Sequence, residues 1–94
     1  MSSPPVLAIV LDPTDTVAVA IVALAPGQAI PAPGGEVVVA EPIPAGHKVA
    51  LRAIAVNEDV IKYGEPIGHA TASIGVGEHV HVQNLVGNRL GVAP

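Results

Sequence analysis

The segment Ile43-Pro44-Ala45-Gly46-His47-Lys48-Val49 sets the pattern from which the fold is read. It runs aliphatic residue, two residues, Gly, two residues, β-branched aliphatic. The same spacing returns in Leu24 to Ile30 around Gly27, in Ile54 to Val60 around Asn57, and in Ile74 to Val80 around Gly77. Gly and Asn enter positive φ at the least cost, so the fourth position reads as the left-handed corner of a tight turn. The flanking aliphatics then point inward and pin each corner to a core. The rival explanation is chance recurrence in a chain with ten Gly. The backbone at Asn57, the corner that is not Gly, separates the two, because positive φ is uncommon outside Gly.

Outward from these corners the chain reads as short strands. Ten Gly and ten Pro leave a helix almost nowhere to sit, with Val49 to Ala55 the one segment that could hold it. β-branched residues dominate in Val17 to Val22, Glu36 to Val39, Val60 to Ile61 and His79 to Val82, and these are the expected strands. Ala25 to Gly35 carries three Pro and three Gly, which predicts a loop with at most one short extended piece. The expectation is an all-β domain of short strands and tight turns, folded back on itself many times.

At 94 residues the chain has room for one core, so a single domain over 1–94 is expected. With no Phe, no Trp and one Tyr, that core is Val, Ile, Leu and Ala. Half the residues are apolar, 13% are charged, and the mean hydropathy is +0.57. Such a surface predicts an apolar face covered by another chain, expected in the N-terminal half, and is compatible with a homo-oligomer. The longest apolar run, Val17 to Ala25, is nine residues, against the roughly 20 a membrane-spanning helix needs. Met1-Ser2-Ser3-Pro4-Pro5 has no basic residue ahead of its apolar stretch, unlike a secretory signal, and a cytoplasmic location is expected. The absence of Cys excludes disulfides and thiolate chemistry. A net charge of −4, without a basic run or aromatic platform, argues against nucleic acid as a partner.

The titratable residues that stand out are in the second half. His47, His69 and His79 sit beside Gly-containing turns, and His81 completes a His-Val-His pair. Side chains two apart on a strand share a face, with Cα atoms about 6.5 Å apart. His79, His81 and Gln83 would therefore line one side, opposite Val80 and Val82. Imidazole binds borderline divalent metals and titrates near neutrality, so the pair could hold an ion or move a proton; a plain solvated strand face is the alternative. Lys48, Arg52 and Lys62 gather around Gly46 to Gly64 and could bind a carboxylate, or else pair with Glu58, Asp59 and Glu65 as ordinary surface charges. No phosphate-binding Gly loop and no pair of carboxylates with opposed environments is present.

Gly46-His47-Lys48, Lys62-Tyr63-Gly64-Glu65-Pro66-Ile67-Gly68 and Gly77-Glu78-His79-Val80-His81-Val82-Gln83-Asn84-Leu85 follow one another in the chain. In order and spacing they resemble the altronate and galactarate dehydratase family, whose small SAF-type domain has a β-clip fold. The specific resemblance covers Ile43 to Leu85, and Leu11 to Leu24 is similar more loosely. Two positions depart from the family pattern: Gln83 stands where many members have His, and Asn57 where Gly is common.

The resemblance implies a small subunit or SAF domain of a lyase that works with a separate large catalytic subunit on a sugar acid or related hydroxy acid. It implies His47 as a proton-transfer residue, His79 and His81 as ligands of a divalent metal, iron or manganese, shared with the large subunit, and Lys48 and Lys62 as contacts to the substrate carboxylate. The metal would polarise that carboxylate. The other reading is a free-standing β-clip binding or assembly module without lyase activity, which the departure at Gln83 favours.

Overall fold

The computed structural model describes residues 6–87. Their regular structure is entirely β: β1 (Ala8–Ile9), β2 (Val17–Ala20), β3 (Ala29–Ala32), β4 (Gly35–Val38), β5 (Lys48–Ala50), β6 (Asp59–Lys62), β7 (Glu65–Ala70), β8 (His79–Val80) and β9 (Leu85–Gly87). The reading of Met1 to Pro5, and the outer limits of the 1–94 domain, lie outside the described residues.

The four corners behave alike. Asn57 has φ 69°, beside 92° at Gly27, 84° at Gly46 and 81° at Gly77. In each, the fifth residue's N–H donates to the second residue's carbonyl: Gln28 to Ala25, His47 to Pro44, Glu58 to Ala55 and Glu78 to Gly75, at 3.0–3.2 Å. The corner residue's own N–H crosses to another segment, reaching the carbonyls of Val39, Ala20, Ala70 and Ala50 in turn. Chance recurrence is thereby excluded, since four coincidental spacings would not share both bonds. The first residues pair as well, Leu24 with Ile43 and Ile54 with Ile74. The chain thus builds the same corner, hairpin, corner unit twice, with Leu24, Ile30, Ile43 and Val49 matched by Ile54, Val60, Ile74 and Val80.

The antiparallel sheet β1-β2-β5-β8 lies between the two units, with the β3-β4 hairpin and the sheet β6-β7-β9 completing the fold. Strand alternation divides its side chains between two cores. Ala18 and Val49 join Leu24, Ile30 and Ile43; Val17, Ala50 and Val80 join Ile54, Val60 and Ile74. Both are built almost wholly from aliphatics, each worth roughly 1.5–3 kcal/mol when a Val, Leu or Ile is fully buried.

A polar pin holds the β6-β7 turn. Tyr63 and Gly64 both take positive φ, 56° and 76°, as a two-residue hairpin of the mirror-image kind demands. The Asp15 carboxylate, 5% exposed, accepts the Gly64 N–H at 2.7 Å through Oδ1 and the Leu11 and Asp12 N–H groups through Oδ2. Thr16 Oγ1 accepts the Ile61 N–H at 2.9 Å. The Lys62-Tyr63-Gly64 element is therefore fixed to the segment before β2.

Several expectations change. No helix occurs among the described residues, so Val49 to Ala55 is β5 followed by a bend. The fourth strand is shorter than His79 to Val82: β8 ends at Val80 because the chain turns at His81 to Asn84, where the Asn84 N–H donates to the His81 carbonyl. The exposed large apolar side chains are spread along the chain, Val6, Leu11 and Val38 in the first half and Val56, Val76 and Val82 in the second, rather than gathered in the N-terminal half. No helix of the described residues is long and apolar enough to cross a membrane.

Candidate metal centre

The site begins with a difference among the corners. At three of them the fifth residue is Gln28, Glu58 or Glu78, and its side-chain oxygen accepts the N–H of the second residue, Ala25, Ala55 or Gly75, at 2.6–2.8 Å. The second corner has Pro44 at that place, which has no N–H to cap. Its fifth residue is released from capping and is His47.

His79 and His81 come from the far side of β5. His79 pairs with Val49 in the β5-β8 register, and the turn beyond β8 is held by side chains. Asn84 Oδ1 accepts the His81 N–H at 3.0 Å, Asn84 Nδ2 donates to the His79 carbonyl at 2.8 Å, and Glu41 Oε2 accepts the His79 N–H at 3.0 Å. With the backbone fixed this way, the three rings stack. Centroids of His47 and His81 are 3.7 Å apart, and those of His47 and His79 5.0 Å. His47 Nδ1 lies 2.7 Å from His79 Nε2, and Gln83 Nε2 lies 3.1 Å from His79 Nδ1.

One nitrogen from each of His47, His79 and His81 falls within 4.8 Å of the others. His81 Nδ1 is buried and has no hydrogen-bond partner, a cost that a ligand at that nitrogen would remove. Burial holds the His79 and His81 imidazoles below their ordinary pKa, and the neighbouring His47 and Lys48 push the same way; Glu41 opposes this at His79. Neutral imidazole is the form that ligates metal. Two nitrogens on a tetrahedral ion with bonds of about 2.0–2.1 Å are about 3.3 Å apart, so the His47–His79 pair would open by roughly half an ångström to admit one. The donor set fits a borderline divalent cation.

The structure therefore brings together His47, His79 and His81. It does not place Lys48 on the same sheet face. Lys48 is opposite Val80 in register whereas His79 is opposite Val49, and those two valines belong to different cores. Adjacent strand residues point to opposite faces, so Lys48 leaves β5 on the face away from His79, although its charge still acts on His79 and His81. Lys48 is 4% exposed. Burial first, and then the charge of Lys62, lower its pKa. Lys62 ends β6 and lies 5.5 Å from the Tyr63 ring centre. His69 is on β7, apart from the group of three. Pro44, Glu41 and Asn84 were not singled out from the sequence. Proline at the second repeat position, coupled to His where the other corners have Gln or Glu, was the available signal.

Two cavities, of about 390 and 260 Å³, lie between the Leu11–Pro13 segment and the β3-β4 hairpin, and neither includes a histidine. The histidine group is a surface site on the sheet edge.

Fold and site together define a small all-β domain that presents clustered imidazoles at one edge. The profile of the altronate/galactarate dehydratase SAF domain matches residues 6–88, and the chain belongs to that family. It is 42% identical over 74 residues to altronate dehydratase of Bacillus subtilis (strain 168), covering 79% of this chain and 15% of that protein. It is 46% identical over 70 residues to altronate dehydratase of Escherichia coli (strain K12), 74% of this chain and 14% of that one. With the (2R)-sulfolactate sulfo-lyase subunit alpha of Chromohalobacter salexigens it shares 53% identity over 47 residues, half of each chain. The chain spans about one seventh of the altronate dehydratases and half of the sulfo-lyase subunit.

Proposed function

We propose that this chain is the SAF subunit or domain of a hydroxy-acid lyase, supplying a histidine-held divalent metal to a site that a larger lyase polypeptide completes. The observation that carries this reading is the convergence of three imidazole nitrogens within 4.8 Å, one of them, on His81, buried without a partner. A divalent ion, iron or manganese, would polarise the carboxylate of a sugar acid and ease loss of the adjacent proton. Three protein nitrogens leave coordination positions open for substrate.

His79 and His81 hold the ion in this account, and His47 joins them or carries a proton through its contact with His79. Lys48, from the opposite face of β5, and Lys62, on β6, would add positive potential that favours an anionic substrate. Names of relatives support the assembly: altronate dehydratases contain a matching segment within a longer chain, whereas the sulfo-lyase protein is named as a subunit alpha. Water, or a β-substituent such as sulfite, is the leaving group in the corresponding reactions. A cytoplasmic setting accords with a metabolic lyase.

The test is reconstitution. An altronate dehydratase lacking its SAF segment is mixed with this chain and a divalent metal, then assayed on altronate, galactarate and sulfolactate. Turnover that requires both components supports the proposal. No turnover of any substrate, under conditions where the relative's own SAF segment restores activity, overturns it.

A further inference from the structure

Gln83 is an exposed residue whose side-chain amide nevertheless has a defined partner. The chain turns at His81 to Asn84, which returns Gln83 over the strand end and sets its Nε2 3.1 Å from His79 Nδ1. The opposite nitrogen of the same ring, Nε2, is 2.7 Å from His47 Nδ1. A relay of Gln83, His79 and His47 results, and its polarity is constrained by elementary hydrogen-bond chemistry.

A neutral imidazole has one N–H and one lone pair. With the Gln83 NH2 donating to His79 Nδ1, the ring proton must be on Nε2, which then donates to His47 Nδ1. His79 then presents an N–H rather than a lone pair to the centre of the group, the His47 Nδ1 lone pair is occupied by it, and the pair is closed to a cation. Rotation of the amide by half a turn replaces the NH2 with the carbonyl oxygen, at the cost of the longer bond, 3.4 Å, that Nε2 also donates to the His79 carbonyl. That oxygen accepts Nδ1–H, which moves the lone pair of His79 to Nε2, facing His47. Two lone pairs in such proximity repel each other unless a cation lies between them. The hydrogen bond that Glu41 makes is to the backbone N–H of His79, through Oε2.

We propose that Gln83 is a positioning residue for this site: its amide selects which nitrogen of His79 carries the proton, closing the histidine group with its NH2 and opening it to a divalent cation with its carbonyl oxygen. An amide is suited to this because it offers donor and acceptor on one rotor, whereas a carboxylate offers acceptors alone. Outer partners of metal-bound histidines fix the tautomer in this way and alter metal affinity by about 10–100-fold. The inference rests on the proposed metal-binding role, but its first readout needs no metal.

That readout is the 15N shifts of the His79 ring in the metal-free chain at mildly alkaline pH. Wild type is expected to show Nε2–H. The Gln83→Glu variant is expected to show Nδ1–H, and Gln83→Leu a mixture of the two. Zinc(II) should shift wild type to Nδ1–H, and its affinity should fall about tenfold in Gln83→Leu. The same His79 tautomer in all three metal-free proteins would overturn the proposal, as would equal zinc affinity in wild type and Gln83→Leu. If zinc fails to bind wild type while the metal-free tautomer follows residue 83, the metal reading falls and the positioning role stands.

Discussion

His47 Nδ1 and His79 Nε2 meet at 2.7 Å although the two residues are 32 apart in the chain. The contact is made by two corners of the same repeat, at Gly46 and Gly77, delivered to neighbouring strands β5 and β8. Its position at the sheet edge, where burial disfavours charge on His79 and His81, makes the site sensitive to protons.

Stability should fall as pH is lowered through the histidine range. His79 and His81 are held below the ordinary imidazole pKa of 6.5, so between the depressed value and 6.5 the unfolded chain binds more protons. Their contribution is complete above 6.5 and is lost as pH falls toward the depressed values. Urea midpoints measured from mildly alkaline to mildly acid pH should decline, and the decline should be shallower in His79→Gln/His81→Gln. Equal slopes in the two proteins would contradict the assignment.

The corner at Asn57 should prefer Gly and reject branched residues. Asn57→Gly is expected to be neutral or stabilising, whereas Asn57→Val should cost about 1–2 kcal/mol for a branched residue at positive φ. Gly77→Ala should cost more than Asn57→Val, because its Cβ would lie 2.1 Å from the Val38 carbonyl oxygen as well as at positive φ. Denaturant midpoints of the three variants give the order directly.

Capping differs among the corners and so should its loss. Gln28→Ala and Glu58→Ala each remove a side-chain acceptor from a backbone N–H, at about 0.5–1.5 kcal/mol. At the equivalent position behind Pro44, His47→Ala removes no cap; in a His79→Ala/His81→Ala background, where its ring contacts are already absent, thermal melts should show it to be the mildest of the three.

The buried carboxylate of Asp15 should matter more than any cap. Asp15→Ala removes the carboxylate that accepts from Gly64, Leu11 and Asp12, and a hydrogen bond to a charged group is worth about 1.5–3 kcal/mol. Hydrogen exchange at Gly64 should accelerate more than at Val49. Unchanged protection at Gly64 would show that the turn holds without its pin.

Much of this architecture was legible because it is local. The corner spacing around Gly27, Gly46, Asn57 and Gly77 fixed four turns, and Pro and Gly density removed helices. Alternation correctly put His79 and His81 on one side, while the resemblance added His47. What was not legible depends on distant segments. Nothing near Asp15 in sequence points to Gly64, 49 residues away, and the reach of Gln83 to His79 exists only because β8 stops two residues short of the expected strand.

The claim that His47, His79 and His81 form one metal centre is tested most directly by titrating the chain with cobalt(II) and following visible absorption. One equivalent should bind per chain, with a spectrum of nitrogen ligation, and His81→Ala should abolish it while the circular dichroism of the fold is retained. Absence of a bound equivalent in wild type, or an unchanged spectrum in His81→Ala, would contradict the account.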